Sequence, residues 1–265
     1  WHVQEMGHGP LALLLHGAGG STHSWRDLMP LLAHSHRVIA LDLPGQGFSR
    51  AGNRRRLGLS GMAADIAALC IAQGWQPDLI LGHSAGGALA LELATRLVTP
   101  TSQPPDIACV NAALGPFEGV AGWLFPVLAK VLALNPLTPT LFTLGADKVT
   151  RARRLIESTG SHLSSEGLAL YARLIGDRAH VDGTLQMMAQ WDVAPLLKRL
   201  GTIPNRCLLI TGSRDLAVPP ETSVRAAAQL PRARNLSLDG LGHVAQEEDA
   251  ARVLAAILDP GSWPA

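Results

Sequence analysis

Short apolar runs alternate along the chain with longer stretches of helical period. Leu11 to Leu15, Arg37 to Leu41, Leu79 to Leu81, Ile107 to Val110, Cys207 to Thr211 and Asn235 to Leu238 read as strands. Most are apolar throughout, the pattern of strands buried on both faces of a parallel sheet. Trp25 to Ala33, Ser60 to Gln73, Ala88 to Ala94, Thr222 to Gln229 and Gln246 to Leu258 read as helices, with Ser60 the expected N-cap of its helix. Strands alternating with helices predict an α/β fold: a mostly parallel sheet with helices on both faces. The alternation breaks between about Gly115 and Pro195, where helical periodicity continues without a good strand. The expected division is a core of residues 1–114 and 196–265 and an inserted helical cap, or lid, of residues 115–195. Ligands of such sheets bind outside the carboxyl ends of the strands, so a cap there would roof the site.

Composition narrows the partners. The chain has 265 residues, 47% hydrophobic and 16% charged, with a net charge of +1. That balance gives no reason to expect nucleic acid. Arg50, Arg54, Arg55 and Arg56 form one local basic loop, either a solvated surface or a contact for acidic groups. Cys70, Cys109 and Cys207 lie apart in apolar stretches, as buried reduced thiols do. There is no CxxC and no HExxH, so no metal and no cofactor are expected. No signal peptide is visible, and no apolar stretch reaches the ~18–20 residues that span a bilayer. The nearest, Val120 to Leu134, is broken by Pro126 and Lys130. A cytoplasmic location is the default expectation.

The chemistry concentrates at strand ends. Gly82-His83-Ser84-Ala85-Gly86 follows the apolar run Leu79 to Leu81 and precedes a helix. Gly-x-Ser-x-Gly between strand and helix is the nucleophile-elbow pattern, with Gly82, Gly86 and Gly87 giving strand and helix room to approach. A serine hydroxyl needs a base, and the base needs a carboxylate to orient it. Asp215 follows the strand Cys207 to Thr211, where the alternative is an Asx-type turn or a helix cap before Pro219. His243 stands in the glycine-flanked loop after Asn235 to Leu238. A histidine base must be neutral, so activity is expected to rise with pH through roughly 6–7.5. The oxyanion donors are expected from the backbone N–H of Ala85 and of Ala18, with Gly19 the fallback for the second. His16 ends a strand and is expected to brace that loop. Gly17, Gly19 and His83 complete the predicted surroundings, although the elbow turns His83 away from the serine. His162 and His180 are candidate substrate contacts in the cap.

His16-Gly17, the loop Asp42 to Gly47, the Ser84 elbow, the Asp215 loop and Gly242-His243 together resemble the α/β-hydrolase superfamily over nearly the whole chain. The segments Ser21 to Leu28, Asn111 to Phe117, Leu132 to Leu137, Ser158 to Ser161 and Met187 to Asp192 are similar to one branch of it. That branch is the magnesium-chelatase accessory proteins of bacteriochlorophyll biosynthesis. The resemblance implies a phototrophic bacterium, a tetrapyrrole-related role, magnesium-chelatase subunits as partners and a setting near the membrane. Of the usual leading strand pair only a fragment, His2 to Met6, is recognisable.

Trp123, Phe125, Phe142, Met187, Met188 and Trp191 are concentrated in the cap of a chain with 4% aromatics. They suit a wide apolar pocket for a flat ligand, or ordinary packing of cap helices on the sheet. The apolar residues of Val120 to Leu134 offer a weaker alternative, contact with a membrane surface. Two functions follow. One is a serine hydrolase of an apolar ester or related acyl compound. The other is a catalytically idle porphyrin-binding or chaperone protein serving the chelatase. Ser84 counts against the carboxylate nucleophiles of epoxide hydrolases and dehalogenases. Perhydrolysis and carbon–carbon bond hydrolysis use the same three residue types and stay open.

Overall fold

The computed structural model describes residues 1–115, 140, 143 and 147–264. Among them, seven strands form one sheet in the order β1-β3-β2-β4-β5-β6-β7. These are β1 Val3–Met6, β2 Leu11–Leu15, β3 Arg37–Leu41, β4 Leu79–His83, β5 Asp106–Val110, β6 Cys207–Gly212 and β7 Ala233–Leu238. β1 runs antiparallel to β3, pairing Val3 with Leu41, and every other neighbouring pair is parallel.

The unbroken apolar strands serve two cores at once. Leu13, Ile39, Ile80, Ile107 and Leu209 face a core completed by α2 (Leu59–Gln73) and α3 (Ala85–Leu93). Their neighbours Leu14, Val38, Leu81, Ala108 and Ile210 face the opposite core, against α1 (Leu28–Leu32) and the C-terminal helix Ala250–Leu258. Successive side chains point to opposite faces, so a strand covered twice must be apolar at every position. Cys70, Cys109 and Cys207 are buried free thiols within the first core.

Three boundaries depart from the sequence expectation. The helix expected over Trp25 to Ala33 splits into a 3₁₀ turn at Thr22–Trp25 and α1. Pro30 has no N–H and fits only the first turn of a helix, so α1 begins just before it. Ser60 lies inside α2, whose N-cap is Gly58. The last helix restarts at Ala250 after Asp249, whose backbone is non-helical (φ −150°, ψ 80°) and whose carboxylate accepts from the Arg252 N–H.

Between β5 and β6 the regular elements among the described residues are helical: α4 Lys148–Ser158, α5 Ser165–Ile175, α6 Arg178–Gln190, α7 Ala194–Leu197 and a 3₁₀ turn at Leu200–Thr202. Beyond β6 come α8 Pro220–Ala227, α9 Ala245–Glu248 and α10 Ala250–Leu258. No described helix is long and apolar enough to cross a membrane.

Candidate active site

Strand β4 delivers Ser84 directly onto the N-terminus of α3. Ser84 has φ 51° and ψ −116°, a conformation that L-residues rarely adopt. The strain, roughly 1–3 kcal/mol, persists only where the surroundings enforce it. They do so through close backbone approach. A Cβ on Gly82 would strike the Gly86 carbonyl, and one on Gly86 would strike the carbonyls of Leu15 and His16. The Ser84 N–H donates to the Val110 carbonyl at 2.9 Å, tying the elbow to β5.

Two other strand ends bring the partners. Asp215 follows β6 and His243 follows β7. His243 Nδ1 lies 2.8 Å from Asp215 Oδ2, and His243 Nε2 lies 3.0 Å from Ser84 Oγ. An ionised carboxylate only accepts, so Nδ1 carries the proton and Nε2 presents its lone pair to the serine hydroxyl. The Asp215 side chain is fully buried. Its Oδ1 accepts from the N–H groups of Ala217 and Val218 at 2.8 and 2.9 Å. Asp215 therefore makes the Asx-type turn considered as an alternative and still faces His243 with its other oxygen.

The expected oxyanion donors are the backbone N–H groups of Ala85, directly after Ser84, and of Ala18, directly after Gly17. Neither has a hydrogen-bond partner among the described residues. Gly17 packs against the nucleophile candidate itself: a Cβ there would lie 3.0 Å from Ser84 Cβ and 2.8 Å from His83 Nδ1. Gly19 is different from the expectation. Its N–H already donates to Gln46 Oε1 at 2.7 Å, so it is committed to the Asp42–Ser49 loop. That loop is itself pinned by Asp42, which accepts from Thr22 and Phe48 N–H groups at 2.6 and 2.8 Å.

Three further histidines, His16, His83 and His180, are buried structural members of the same surroundings. His16 is fully buried; Nε2 accepts from the Leu43 N–H at 2.9 Å, and Nδ1 donates to the Gly17 carbonyl at 2.7 Å. Burial holds its pKa below the ordinary value. His83 donates from Nε2 to the His243 carbonyl at 2.9 Å. Burial, followed by the neighbouring His243, pushes its pKa well below the usual range, so it stays neutral. His180, expected to contact substrate, is buried on α6; its Nδ1 accepts from the Gly47 N–H at 2.9 Å. Burial pushes it down to about 4. His162 is exposed, and its backbone N–H bonds to Glu248.

The apolar pocket residues separate. Met187 is 1% exposed and belongs to the main core, with its sulfur accepting from Gln46 Nε2 at 2.9 Å. That burial matches the packing alternative. Trp191 is half-buried against the same core, and Met188 is half-buried. Trp123, Phe125 and Phe142, with the run Val120 to Leu134, lie outside the described residues. No cluster of three potential metal ligands occurs among the described residues.

The bracing role of Asn111 was not part of the sequence expectation. Asn111, at the end of β5 with φ 47°, donates from Nδ2 to the carbonyls of Gly242 and His243 at 2.9 and 2.8 Å. Its Oδ1 accepts from the Gly212 N–H at 2.8 Å. Its signals were its position directly after a buried strand and its place in the resembling segment Asn111 to Phe117.

The alpha/beta hydrolase fold family matches residues 10–250, and the chain belongs to that family. A "Magnesium-chelatase 30 kDa subunit" of Rhodobacter capsulatus is 45% identical over 261 residues, 98% of this chain and 90% of that protein. A pimeloyl-[acyl-carrier protein] methyl ester esterase of Xanthomonas campestris pv. campestris is 30% identical over 91% of each chain. An alpha/beta hydrolase fold protein from Burkholderia ambifaria superposes with a TM-score of 0.78 at 22% identity, over 97% of this chain and 93% of the other, and supports the fold.

Proposed function

We propose that the protein is a serine hydrolase acting on an ester or related acyl compound of largely apolar character, in magnesium-porphyrin (bacteriochlorophyll) metabolism. The observation that carries the chemistry is the continuous line Asp215–His243–Ser84, with contacts of 2.8 and 3.0 Å. In this reading Ser84 Oγ attacks the acyl carbonyl while His243 Nε2 takes its proton. Asp215 holds the ring and steadies the imidazolium. The N–H groups of Ala85 and Ala18 receive the oxyanion. His243 then returns the proton to the leaving oxygen, and water, activated by the same ring, releases the acyl group from Ser84. The segment 115–195 serves as the cap, with α6 seated against the Gly45–Gly47 loop through His180. The tetrapyrrole setting is supported by the relative named as a magnesium-chelatase subunit.

That name also favours a second reading, a porphyrin-binding accessory protein with an idle triad. The two separate in one experiment. Wild type and Ser84→Ala are assayed on p-nitrophenyl and porphyrin esters, and the same pair is tested for support of pigment synthesis. Ester turnover lost in Ser84→Ala together with pigment supports the hydrolase. Full pigment synthesis with Ser84→Ala supports the accessory role.

A further inference from the structure

The backbone around His243 is tied down on all sides, and much of the tie comes from outside its own loop. The connector between α4 and α5, Thr159 to His162, crosses both the histidine loop and the Asp215 loop. The Thr159 carbonyl accepts from the His243 N–H at 3.4 Å and from the Leu216 N–H at 3.1 Å. Ser161, fully buried, accepts from the Val244 N–H at 3.0 Å and donates to Glu248 Oε1 at 2.7 Å. The same Glu248 oxygen accepts from the Gly242 N–H at 2.8 Å. Its other oxygen accepts from the His162 N–H at 3.3 Å and lies 3.9 Å from Arg214, the residue before Asp215. Thus the three successive N–H groups of Gly242, His243 and Val244 end on Glu248, Thr159 and Ser161.

At two points the segments meet through glycines. A Cβ on Gly160, whose φ is 82°, would strike the Arg214 carbonyl. A Cβ on Gly242 would strike the Gly160 carbonyl and Ser161 Oγ. Such close approach leaves little slack for the loop that carries the imidazole.

Resting on the hydrolase reading, we propose that Glu248 and Ser161 are positioning residues that clasp the histidine and acid loops to the Thr159–His162 connector. Seating of that connector sets the reach of His243 towards Ser84. Neither side chain touches the reacting atoms. Both act through the backbone of residues 242–244, and a shift of about 1 Å in a positioned group costs on the order of 10²-fold in rate.

The test uses the full chain with Ser161→Ala, Glu248→Ala, Glu248→Gln and the double variant S161A/E248A. Folding is checked by circular dichroism. The readouts are the labelling rate with a fluorophosphonate and the downfield proton resonance of His243 Nδ1–H. Ser161→Ala and Glu248→Ala each slow labelling on the order of 10²-fold and broaden the resonance, and the double variant is no worse than the slower single. Glu248→Gln keeps Oε1 as an acceptor and stays within about threefold of wild type. Should Ser161→Ala not fold, Ser161→Cys keeps a side-chain group there, slightly larger, with a weaker donor and acceptor, and is read in the same way. A resonance unchanged in both folded single variants overturns the proposal, whatever the labelling. A wild type that takes no label but loses its sharp resonance in the variants overturns the hydrolase reading and leaves the clasp standing.

Discussion

Asn111 holds the His243 carbonyl from one side at 2.8 Å while His83 Nε2 holds the same oxygen from another at 2.9 Å. Asn111→Asp keeps the shape and the tolerance for positive φ but loses the two donated hydrogen bonds. The Gly242 carbonyl then loses its donor while His83 still holds that of His243, and a buried carbonyl left unpaired costs about 1–3 kcal/mol, which chemical denaturation will read directly. Unchanged stability would show that water replaces the amide.

The strain at Ser84 predicts an unusual ordering of variants. Ser84→Ala keeps a Cβ in the unfavourable backbone region, whereas Ser84→Gly relieves it. The glycine variant is expected to be the more stable by roughly 1 kcal/mol, despite the entropy that glycine adds to the unfolded chain. A thermal midpoint of Ser84→Gly below that of Ser84→Ala would mean that the turn is not strained.

Asp215→Asn keeps the geometry but presents an amide to His243 Nδ1, which favours the wrong tautomer. The expected loss in turnover is on the order of 10⁴-fold, by analogy with the same change in serine proteases. Steady-state kinetics on the best ester substrate measure it. A loss below tenfold would remove Asp215 from its role.

Glu247 gives stability a pH dependence of its own. Burial pushes its carboxyl from the ordinary 4.5 up to about 7, although the Tyr171 hydroxyl donates to it at 2.7 Å. Between these two values the folded chain keeps a proton that the unfolded chain has released. Stability from this group is therefore full below about 4.5, falls as pH rises, and levels off above about 7. The total is on the order of 3 kcal/mol. Urea denaturation from pH 4.5 to 8 should show this slope in wild type and its loss in Glu247→Gln. Equal slopes in the two proteins would refute the assignment.

The sheet and the three strand-end residues were legible because their signals are local. Doubly buried strands must be apolar throughout, and an elbow needs small residues at fixed spacing. The braces were not legible, because each depends on a contact across many residues. Asn111 reaches Gly242, Ser161 reaches Glu248, and His180 reaches Gly47. Nothing in the period or composition around Ser161 marks it as different from a surface serine. Met187 stayed open for a related reason: a thioether suits a pocket and a core equally well, and here it lies in the core cluster. The helix starts moved where a single residue, Pro30 or Asp249, outweighed the hydrophobic period.

The most direct measurement is mass spectrometry of the protein after reaction with a fluorophosphonate. The account predicts one adduct, on Ser84, forming in wild type and absent in Ser84→Ala. No adduct on well-folded wild type, or an equal adduct on Ser84→Ala, would contradict it.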